Sequence, residues 1–348
     1  MRRVNYWPLA VIYDGVTRIR NMAYDRGWSK VHEPPRPVVS VGNLTVGGTG
    51  KTPMTEYLIQ RLGEVYHLGV ISRGYHRETT GYRLAGDQDN ALTLGDEVYQ
   101  MHRKFGHKVA VAVGEKRPEA AQQLTLDRPV VELILLDDAY QHRRIGRKVN
   151  LLLTTYDRPF YKDRVMPQGW LREARAGARR ADAVVVTKCP DTITEEEVGV
   201  IRNSIKKYLA PDTPVFFSGL RYGTPKAAGP KLQWQPEGQV VMFSGLADPK
   251  PMEEYVQKSF KLIDKMRYPD HHHYRPRDIT KLIERTRELG ATGVLLTSEK
   301  DIVKWEAKSL KMLWEGVPVF YLPIEMFFLP YGPDFDQWLF ESLAHANG

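Results

Sequence analysis

The chain has 348 residues, enough for two domains or one large one, and 42% of them are hydrophobic and 26% charged. This balance excludes a disordered chain; no apolar run is long enough to span a bilayer, and the single cysteine, Cys189, excludes an intrachain disulfide framework and a cysteine zinc site. A formal net charge of +8 fits three kinds of partner, namely nucleic acid, an anionic membrane surface or a phosphorylated substrate, and it also fits a generic basic surface.

The segment 6–28 mixes apolar and basic side chains at helical spacing. A helix with an apolar face and nearby arginines can lie on a membrane surface, and it can equally be docked on its own domain. The sequence does not separate these two interpretations. The positions that share one face of the predicted helix are Leu9, Ile12, Tyr13, Val16 and Ile19.

Residues 38–58 predict a phosphate-binding loop between a strand and a helix. The apolar run 38–41 is followed by the glycine-dense turn 47–50 and then by Lys51 and Thr52. Glycines let backbone N–H groups converge on phosphate oxygens, and the N-terminus of the following helix adds its positive dipole end. Lys51 can reach the β- and γ-phosphates, and the hydroxyl of Thr52 can hold Mg²⁺.

This loop departs from the usual pattern at its first glycine position, which is Thr45 here. A plain glycine-rich turn is the alternative, but strand, loop, Lys-Thr and helix all occur in the expected order. The predicted nucleotide-binding residues are Thr45, Val46, Gly47, Gly48, Thr49, Gly50, Lys51 and Thr52.

Two further strands are expected at 68–75 and 109–113. Polar residues at the carboxyl end of a parallel strand lie where open α/β sheets bind ligands, so Arg73 either faces the ligand or is a surface arginine. Between these strands, Asp96 and Glu97 open a helical pattern, where an acid commonly does no more than complement the helix dipole.

A strong signal for a metal site lies in 131–142, where an apolar strand runs into Asp137 and Asp138. In phosphate-loop proteins an acid at the end of such a strand holds Mg²⁺ or its water, and two adjacent carboxylates would be costly in a core. The alternative is a strand-terminal turn. Gln141 and His142 follow at the same end of the sheet.

Strands at 149–156 and 181–188 flank a segment that contains Arg172 and Glu173. Arg172 can clamp anionic oxygens, and Glu173 can orient it or a water. Prolines and glycines then suggest a linker at 211–238. Beyond it, strands and helices between 240 and 324 predict a second, smaller α/β unit.

Three consecutive histidines, 271–273, invite a metal interpretation. Adjacent side chains point in different directions on a strand or a helix, so the three cannot easily converge on one ion. A surface turn is one alternative. The other is that one histidine, positioned by Asp270, takes part in proton transfer.

The predicted fold class is α/β, with a mostly parallel P-loop NTPase-like sheet flanked by helices and a second, smaller α/β domain joined by a short linker. The expected organisation is an N-terminal amphipathic helix at 1–28, a P-loop core domain at 29–213, a linker at 214–238, a smaller domain at 239–330 and a C-terminal helix at 331–348.

Taken together, these motifs resemble the tetraacyldisaccharide 4'-kinases of lipid A biosynthesis from about residue 6 to 330. Ala139 and Tyr140 depart from the family's Gly-Leu, as do Gln168 and Trp170 from its Pro-Ala-Gly-Pro pattern. The motifs that carry the resemblance are Val41 to Pro53, Ser72 to Tyr75, Gly95 to Glu97, Asp137-Asp138 with Gln141-His142, Pro167 to Glu173, Asp270-His271 and Ser298 to Asp301.

The resemblance implies transfer of the γ-phosphoryl group of ATP, with Mg²⁺, to the 4'-hydroxyl of a tetraacyl glucosamine disaccharide 1-phosphate, which gives lipid IVA. It also implies a peripheral protein on the cytoplasmic face of the bacterial inner membrane. That membrane surface and the lipid are the expected partners, with neither nucleic acid nor an obligate protein partner. The alternative is a regulatory P-loop NTPase that binds nucleic acid through its basic surface.

The resemblance also implies roles for individual residues. Asp96 would be the catalytic base, paired with His271 from the smaller domain. Asp137, Asp138 and Glu173 would manage Mg²⁺ and its waters, with Thr52 as a further metal ligand, and Lys51 and Arg172 would carry phosphate charge. Lys51, Asp138 and Arg172 thus count among the catalytic residues, and the implied substrate contacts are Asn43, Arg73, Tyr75, Gln141 and His142.

Overall fold

The computed structural model describes residues 7–229, 233–234 and 237–344. The ends of the expected terminal segments, at 1–6 and 345–348, and parts of the expected linker, at 230–232 and 235–236, lie outside the described residues. The strands are β1 Val38–Asn43, β2 Leu68–Ser72, β3 Arg83–Leu84, β4 Ala110–Val113, β5 Leu133–Leu136, β6 Val149–Thr155, β7 Ala183–Thr187, β8 Val215–Tyr222, β9 Lys226–Ala227, β10 Gln239–Ser244, β11 Lys261–Arg267, β12 Gly293–Ser298, β13 Val319–Leu322 and β14 Ile324–Phe328.

Helices cover the faces of two sheets and begin or end at several of the predicted motifs. They are α1 Trp7–Asp25, α2 Lys51–Leu62, α3 Ala91–Leu94, α4 Asp96–Phe105, α5 Arg117–Asp127, α6 Glu195–Lys206, α7 Lys250–Ser259, α8 Pro276–Arg287, α9 Glu299–Trp305, α10 Lys308–Trp314 and α11 Phe335–Ala344.

The larger sheet has the strand order β14-β8-β7-β6-β1-β5-β2-β4-β3. Its strands are parallel except for the two edges, where β3 pairs antiparallel with β4 and β14 with β8. The central strands are near-continuous apolar runs because helices cover both faces, and β1, β2 and β5 are buried throughout. The predicted α/β fold with a mostly parallel sheet is confirmed.

The smaller sheet has the order β11-β10-β12-β13-β9, parallel except for β9. Its core includes Trp305, fully buried and stacked on Phe243 with ring centroids 4.5 Å apart. We call the part of the chain built on this sheet the small lobe, and the part built on the nine-stranded sheet the large lobe.

The expected linker differs from the structure in its first part, because β8 is a strand of the large lobe. The end of the expected small domain differs in the same way: β14 returns to the larger sheet, where Ile324 is opposite Tyr222. Both segments pair with partners distant in sequence, and local periodicity carries no information about that pairing. The small lobe is therefore inserted in the sequence between β8 and β14, which are adjacent antiparallel strands of the larger sheet.

Helix α1 exposes the apolar face that its spacing predicts. Ile12, Val16 and Ile19 are each more than 60% exposed, and Ala10 is the buried residue of the helix. The helix contacts the large lobe largely through polar groups, such as Tyr13, whose hydroxyl donates to the carbonyl oxygen of Arg172 at 3.0 Å. Within the described part of the chain, no helix combines the length and apolarity needed to cross a bilayer.

Candidate active site

The phosphate-binding loop joins β1 to α2, and two of its glycines adopt positive φ angles, 110° at Gly47 and 80° at Gly50. Its middle is held from both sides by side chains. Asn43 donates from Nδ2 to the hydroxyl of Thr49 at 2.7 Å, and Thr187 donates from Oγ1 to the carbonyl of Thr49 at 2.8 Å. Asn43 is fully buried and shapes the loop through its bond to Thr49, and its expected contact with substrate stays a prediction.

The first part of the loop pairs with the segment that carries Arg172. Thr45 forms a β-bridge with Leu171, and the backbone N–H of Arg172 donates to the carbonyl of Leu44 at 2.7 Å. A buried, extended Thr45 needs no positive φ, which explains why threonine can stand at the usual glycine position. The same pairing fixes Arg172 beside the loop.

Two cations converge on Asp138 after β5. Lys51 lies 3.7 Å and Arg172 3.1 Å from its Oδ1. Burial alone would raise the pKa of Asp138, but the charges of Lys51 and Arg172 lower it below its ordinary value. The carboxylate is therefore ionised at neutral pH and holds both cations at the mouth of the loop.

Asp137 is buried and accepts hydrogen bonds from Thr55 Oγ1 at 3.2 Å and Ser72 Oγ at 3.1 Å. Burial, with the nearby charges of Glu97 and Asp138, raises its pKa to about 6. An excess of carboxylates in a buried site is what a divalent cation relieves, and Mg²⁺ in nucleotide sites needs only one or two of them beside phosphates and water. The residues present thus fit Mg²⁺.

Glu173 does not join this group, contrary to its expected role as a metal ligand. Its carboxylate accepts from Asn21 Nδ2 of α1 at 2.6 Å, from Gln141 Nε2 at 3.1 Å and from Arg180 at 2.8 Å. Among the described residues, no three histidine, cysteine, aspartate or glutamate side chains gather in a metal-binding cluster. Glu173 instead ties α1 to the large lobe, because three donors satisfy its buried charge.

Asp96 and His271 meet across the two lobes. His271 Nδ1 lies 3.0 Å from Asp96 Oδ2, and the N–H of Glu97 donates to Asp96 Oδ1 at 3.0 Å. Asp96 begins α4 directly after Gly95, whose φ of 86° brings its backbone against the carbonyl of Tyr75. Although burial raises the pKa of Asp96, the bond from His271 and the charges of Lys300 and Lys304 lower it to about 2.

A cavity of about 410 Å³ unites many of these groups. Asp96, Asp137, Asp138 and Arg172 reach it from the large lobe, and α1 contributes to its wall. The expected substrate residues Arg73, Tyr75 and Gln141 also lie along it; its full lining is Tyr13, Thr17, Arg20, Val46, Ser72, Arg73, Tyr75, Gly95, Asp96, Glu97, Val98, Asp137, Asp138, Gln141, Met166 and Arg172.

A second cavity of about 760 Å³ adjoins the first and shares Arg20 with it. His142, expected to contact substrate, lines this second cavity rather than the first. Burial, followed by the charges of Arg117 and other arginines including Arg144, lowers the pKa of His142 to about 4. Several arginines therefore lie near His142, although Glu33, Glu115 and Glu119 also line the cavity.

We expect His142 to make the fold acid-sensitive. The unfolded chain binds a proton at this histidine below about pH 6.5, whereas the folded chain does so only near pH 4. The free energy of unfolding should thus fall as pH drops from 6.5 to 4, by about 1–2 kcal/mol for this partly exposed group. Urea unfolding at pH 7.5 and 5 should show a smaller pH effect for His142→Gln, and an unchanged one for His107→Gln, which alters an exposed histidine.

Sequence reasoning gave no role to Lys300, which lies in the Ser298 to Asp301 motif, and missed Lys304; these lysines approach Asp96 and His271 from α9 of the small lobe. Their spacing of four residues after a strand is the signal that could have found them, because it places both on one face of a helix. It also missed Tyr13 of α1, a member of the first cavity's wall.

A glycine loop at a helix N-terminus, adjacent carboxylates after a neighbouring strand and a carboxylate–histidine pair across a cleft define a phosphate-loop phosphotransferase, a kinase. A sequence model of the family described as LpxK, tetraacyldisaccharide-1-P 4'-kinase, matches residues 3–344. The chain belongs to that family.

Individual relatives agree with this assignment. The tetraacyldisaccharide 4'-kinase of Cytophaga hutchinsonii is 39% identical over 321 residues, 92% of this chain and 90% of that protein. The protein of the same name from Flavobacterium johnsoniae is 37% identical and covers 97% of both chains. A crystal structure of LpxK from Aquifex aeolicus, described as a complex with ATP, has 27% identity, a TM-score of 0.75 and 99% coverage of each chain.

Proposed function

We propose that this protein transfers the γ-phosphoryl group of ATP to the 4'-hydroxyl of a tetraacyl glucosamine disaccharide 1-phosphate, giving lipid IVA. The observation that carries the proposal is Asp96, held by His271 at 3.0 Å on the wall of a cavity that Asp138 and Arg172 also line. Phosphoryl transfer needs this arrangement, with a base for the hydroxyl facing cations for the phosphates.

The phosphate loop binds the β- and γ-phosphates, and Lys51 and Arg172 stabilise the charge that spreads over the transferred group. Both cations are held by Asp138 before the nucleotide arrives, so little reorganisation is needed when the phosphates bind. Thr52 and the Asp137–Asp138 pair would hold Mg²⁺, which would neutralise charge on the phosphate oxygens.

Asp96 accepts the proton of the sugar hydroxyl as its oxygen attacks in line with the leaving group. A carboxylate with a pKa of about 2 is ionised at every physiological pH but is a weak base. This suits a loose transition state, in which orienting the hydroxyl matters more than removing its proton early. His271 donates to Asp96 and fixes the direction of its lone pairs.

The acceptor is a disaccharide with a phosphate at its far end, and we place that end in the second cavity, which adjoins the first at Arg20. Arg144 and Arg20 line this cavity, and their charges contribute, after burial and the charges of Arg117 and Arg147, to the lowered pKa of His142. Arginine recognises phosphate through paired N–H donors.

Arg144→Ala should therefore raise KM for the lipid about ten-fold while leaving kcat almost unchanged, since one charge-assisted bond to a distant group is lost. The comparison substrate is the same lipid without its 1-phosphate, for which the variant and the parent should behave alike. An equal loss on both substrates would contradict a phosphate contact at Arg144.

We also propose that α1 binds the cytoplasmic surface of the inner membrane, so that the protein is peripheral. Its exposed apolar face, including Ile12, Val16 and Ile19, has the character of an interfacial helix, and its polar side chains hold it to the large lobe. Because α1 also lines the first cavity, a membrane-bound helix would bring the lipid headgroup to the site.

Ile12→Glu combined with Ile19→Glu should lower binding to vesicles of anionic phospholipid by more than ten-fold, because two exposed apolar side chains that would enter the membrane interface become charged. Flotation with such vesicles measures this. Leu126→Glu is the matched control, since it changes an exposed leucine on α5, outside α1. Equal binding of all three proteins would refute membrane docking by α1.

Incubation with labelled ATP, Mg²⁺ and the disaccharide lipid tests the proposed reaction. Label should appear in the lipid, and its appearance only as free phosphate would refute the kinase assignment. The alternative of a regulatory NTPase that binds nucleic acid receives no support from the family match, which spans residues 3–344.

A further inference from the structure

Helix α9 of the small lobe presents two lysines to the Asp96–His271 pair. Lys300 and Lys304 are one helical turn apart, and their side chains are only 19% and 9% exposed. Lys304 Nζ lies 3.8 Å from Asp96 Oδ2, and Lys300 Nζ lies 3.2 Å from His271 Nε2. The two cations thus contact different members of the pair.

Lys300 keeps its positive charge in this position. Burial alone would lower its pKa, but Glu97, Asp96 and Asp270 raise it above its ordinary value. Two of these carboxylates are close, with Nζ 3.7 Å from Glu97 Oε1 and 3.3 Å from Asp270 Oδ1. An ammonium group has three donors and no acceptor, so it can bond His271 Nε2 only where that nitrogen carries a lone pair.

We infer that Lys300 is a positioning residue that fixes the tautomer of His271, so that Nδ1 carries the proton and donates to Asp96. The inference rests on the proposed role of Asp96 as the base. The other neutral tautomer would point the lone pair of Nδ1 at the carboxylate and a proton at the ammonium group. Both contacts would then be repulsive, and the hydrogen bond to Asp96 would be lost.

The start of α9 is anchored in a way that keeps Lys300 in place. Asp301, fully buried, accepts from Ser298 Oγ at 2.7 Å, from the N–H of Gly245 at 2.9 Å and from Tyr274 at 3.1 Å. Its Oδ1 also lies 3.2 Å from Lys304 Nζ. A buried carboxylate with so many partners makes the helix start rigid, which a tautomer-setting contact requires.

Nitrogen-15 NMR of histidine-labelled protein tests the inference without any substrate. Long-range proton–nitrogen correlations distinguish a protonated ring nitrogen from an unprotonated one, and His271→Gln assigns the signals. In the parent, Nδ1 of His271 should be protonated and Nε2 should not. Lys300→Met should give a mixture of tautomers, and Lys300→Arg, which keeps a donor, should restore the Nδ1–H form.

Activity provides the second readout. Lys300→Met should lower kcat about ten-fold with little change in KM for ATP. The reason is that the hydrogen bond from His271 to the ionised Asp96 is weakened. Lys300→Arg should recover most of that loss, whereas Lys311→Met, on the exposed side of α10, should cause none. The kinetic comparison uses the full-length chain with ATP, Mg²⁺ and the disaccharide lipid.

Protonation of Nε2 in the parent, or an unchanged tautomer in Lys300→Met, would overturn the inference. A different result would refute the assignment of Asp96 as the base. In that case Asp96→Asn would retain its activity, whatever the tautomer of His271. The two results are separable, since the spectra report on His271 and the rates report on Asp96.

Discussion

Asp96→Asn is expected to lower kcat for phosphoryl transfer by about 10²–10⁴-fold, the usual contribution of a positioned general base. The amide keeps the size of the side chain but cannot accept the proton of the sugar hydroxyl. It also loses the charge that attracts His271, 3.0 Å away, and Lys304, 3.8 Å away. Nucleotide binding should change little, because the phosphate loop belongs to other elements.

Initial rates with the disaccharide lipid, together with a direct measurement of ATP binding, test this expectation. Glu97→Gln changes the neighbouring carboxylate in the same cavity and should cost far less, since the carboxylate that bonds His271 is that of Asp96, whereas Glu97 pairs with Lys300 at 3.7 Å. Asp87→Asn, in an exposed loop, serves as the neutral control. A kcat for Asp96→Asn within a few fold of the parent would eliminate Asp96 as the base.

Lys51→Met is expected to lower kcat/KM for ATP by about 10²–10³-fold, comparable with the loss of one preorganised charge donor in other enzymes. The side chain of Lys51 is 13% exposed and points toward Asp138, where the transferred phosphate would lie. Methionine keeps the length of the side chain and leaves Asp138 paired with Arg172, so the fold should survive.

Steady-state kinetics and thermal unfolding should be measured together for this variant. Lys207→Met removes an exposed charge just after α6 and should leave both quantities unchanged. A normal melting temperature with a large loss of kcat/KM is the expected combination for Lys51→Met. Near-normal kcat/KM would mean that Lys51 does not reach the phosphates.

The local part of the fold was predictable because short-range physics determines it. The phosphate-binding loop lies between β1 and α2, where an apolar run, glycines and Lys51 occur in sequence. The position of the carboxylates Asp137 and Asp138 directly after β5 was predictable for the same reason, since an apolar run precedes them in the sequence. The meeting of Asp96 with His271, 175 positions apart, was expected from the family resemblance and not from periodicity.

The rest depends on contacts that no local pattern encodes. The family resemblance implied that Asn43 contacts substrate, and in the structure its side-chain amide bonds Thr49. Glu173 looked like a metal ligand, but its carboxylate is bound by Asn21, Gln141 and Arg180. In each case the side-chain type was compatible with both roles, and only the tertiary neighbours decide between them.

The pairing of Tyr222 with Ile324 gives the small lobe a single joint. The chain leaves the larger sheet after β8 and re-enters it at β14, and these strands are neighbours, so both connections lie at one place. A lobe that is connected to the rest of the protein at one place can rotate about that place as about a hinge. Away from this joint, the lobes meet where His271 lies 3.0 Å from Asp96, whereas Glu299, 3.3 Å from Lys104, also accepts from the N–H of Ile324 at 3.5 Å and so lies beside the joint. Because Asp96 belongs to the large lobe and His271 to the small one, the active site is complete only where the two lobes are in contact.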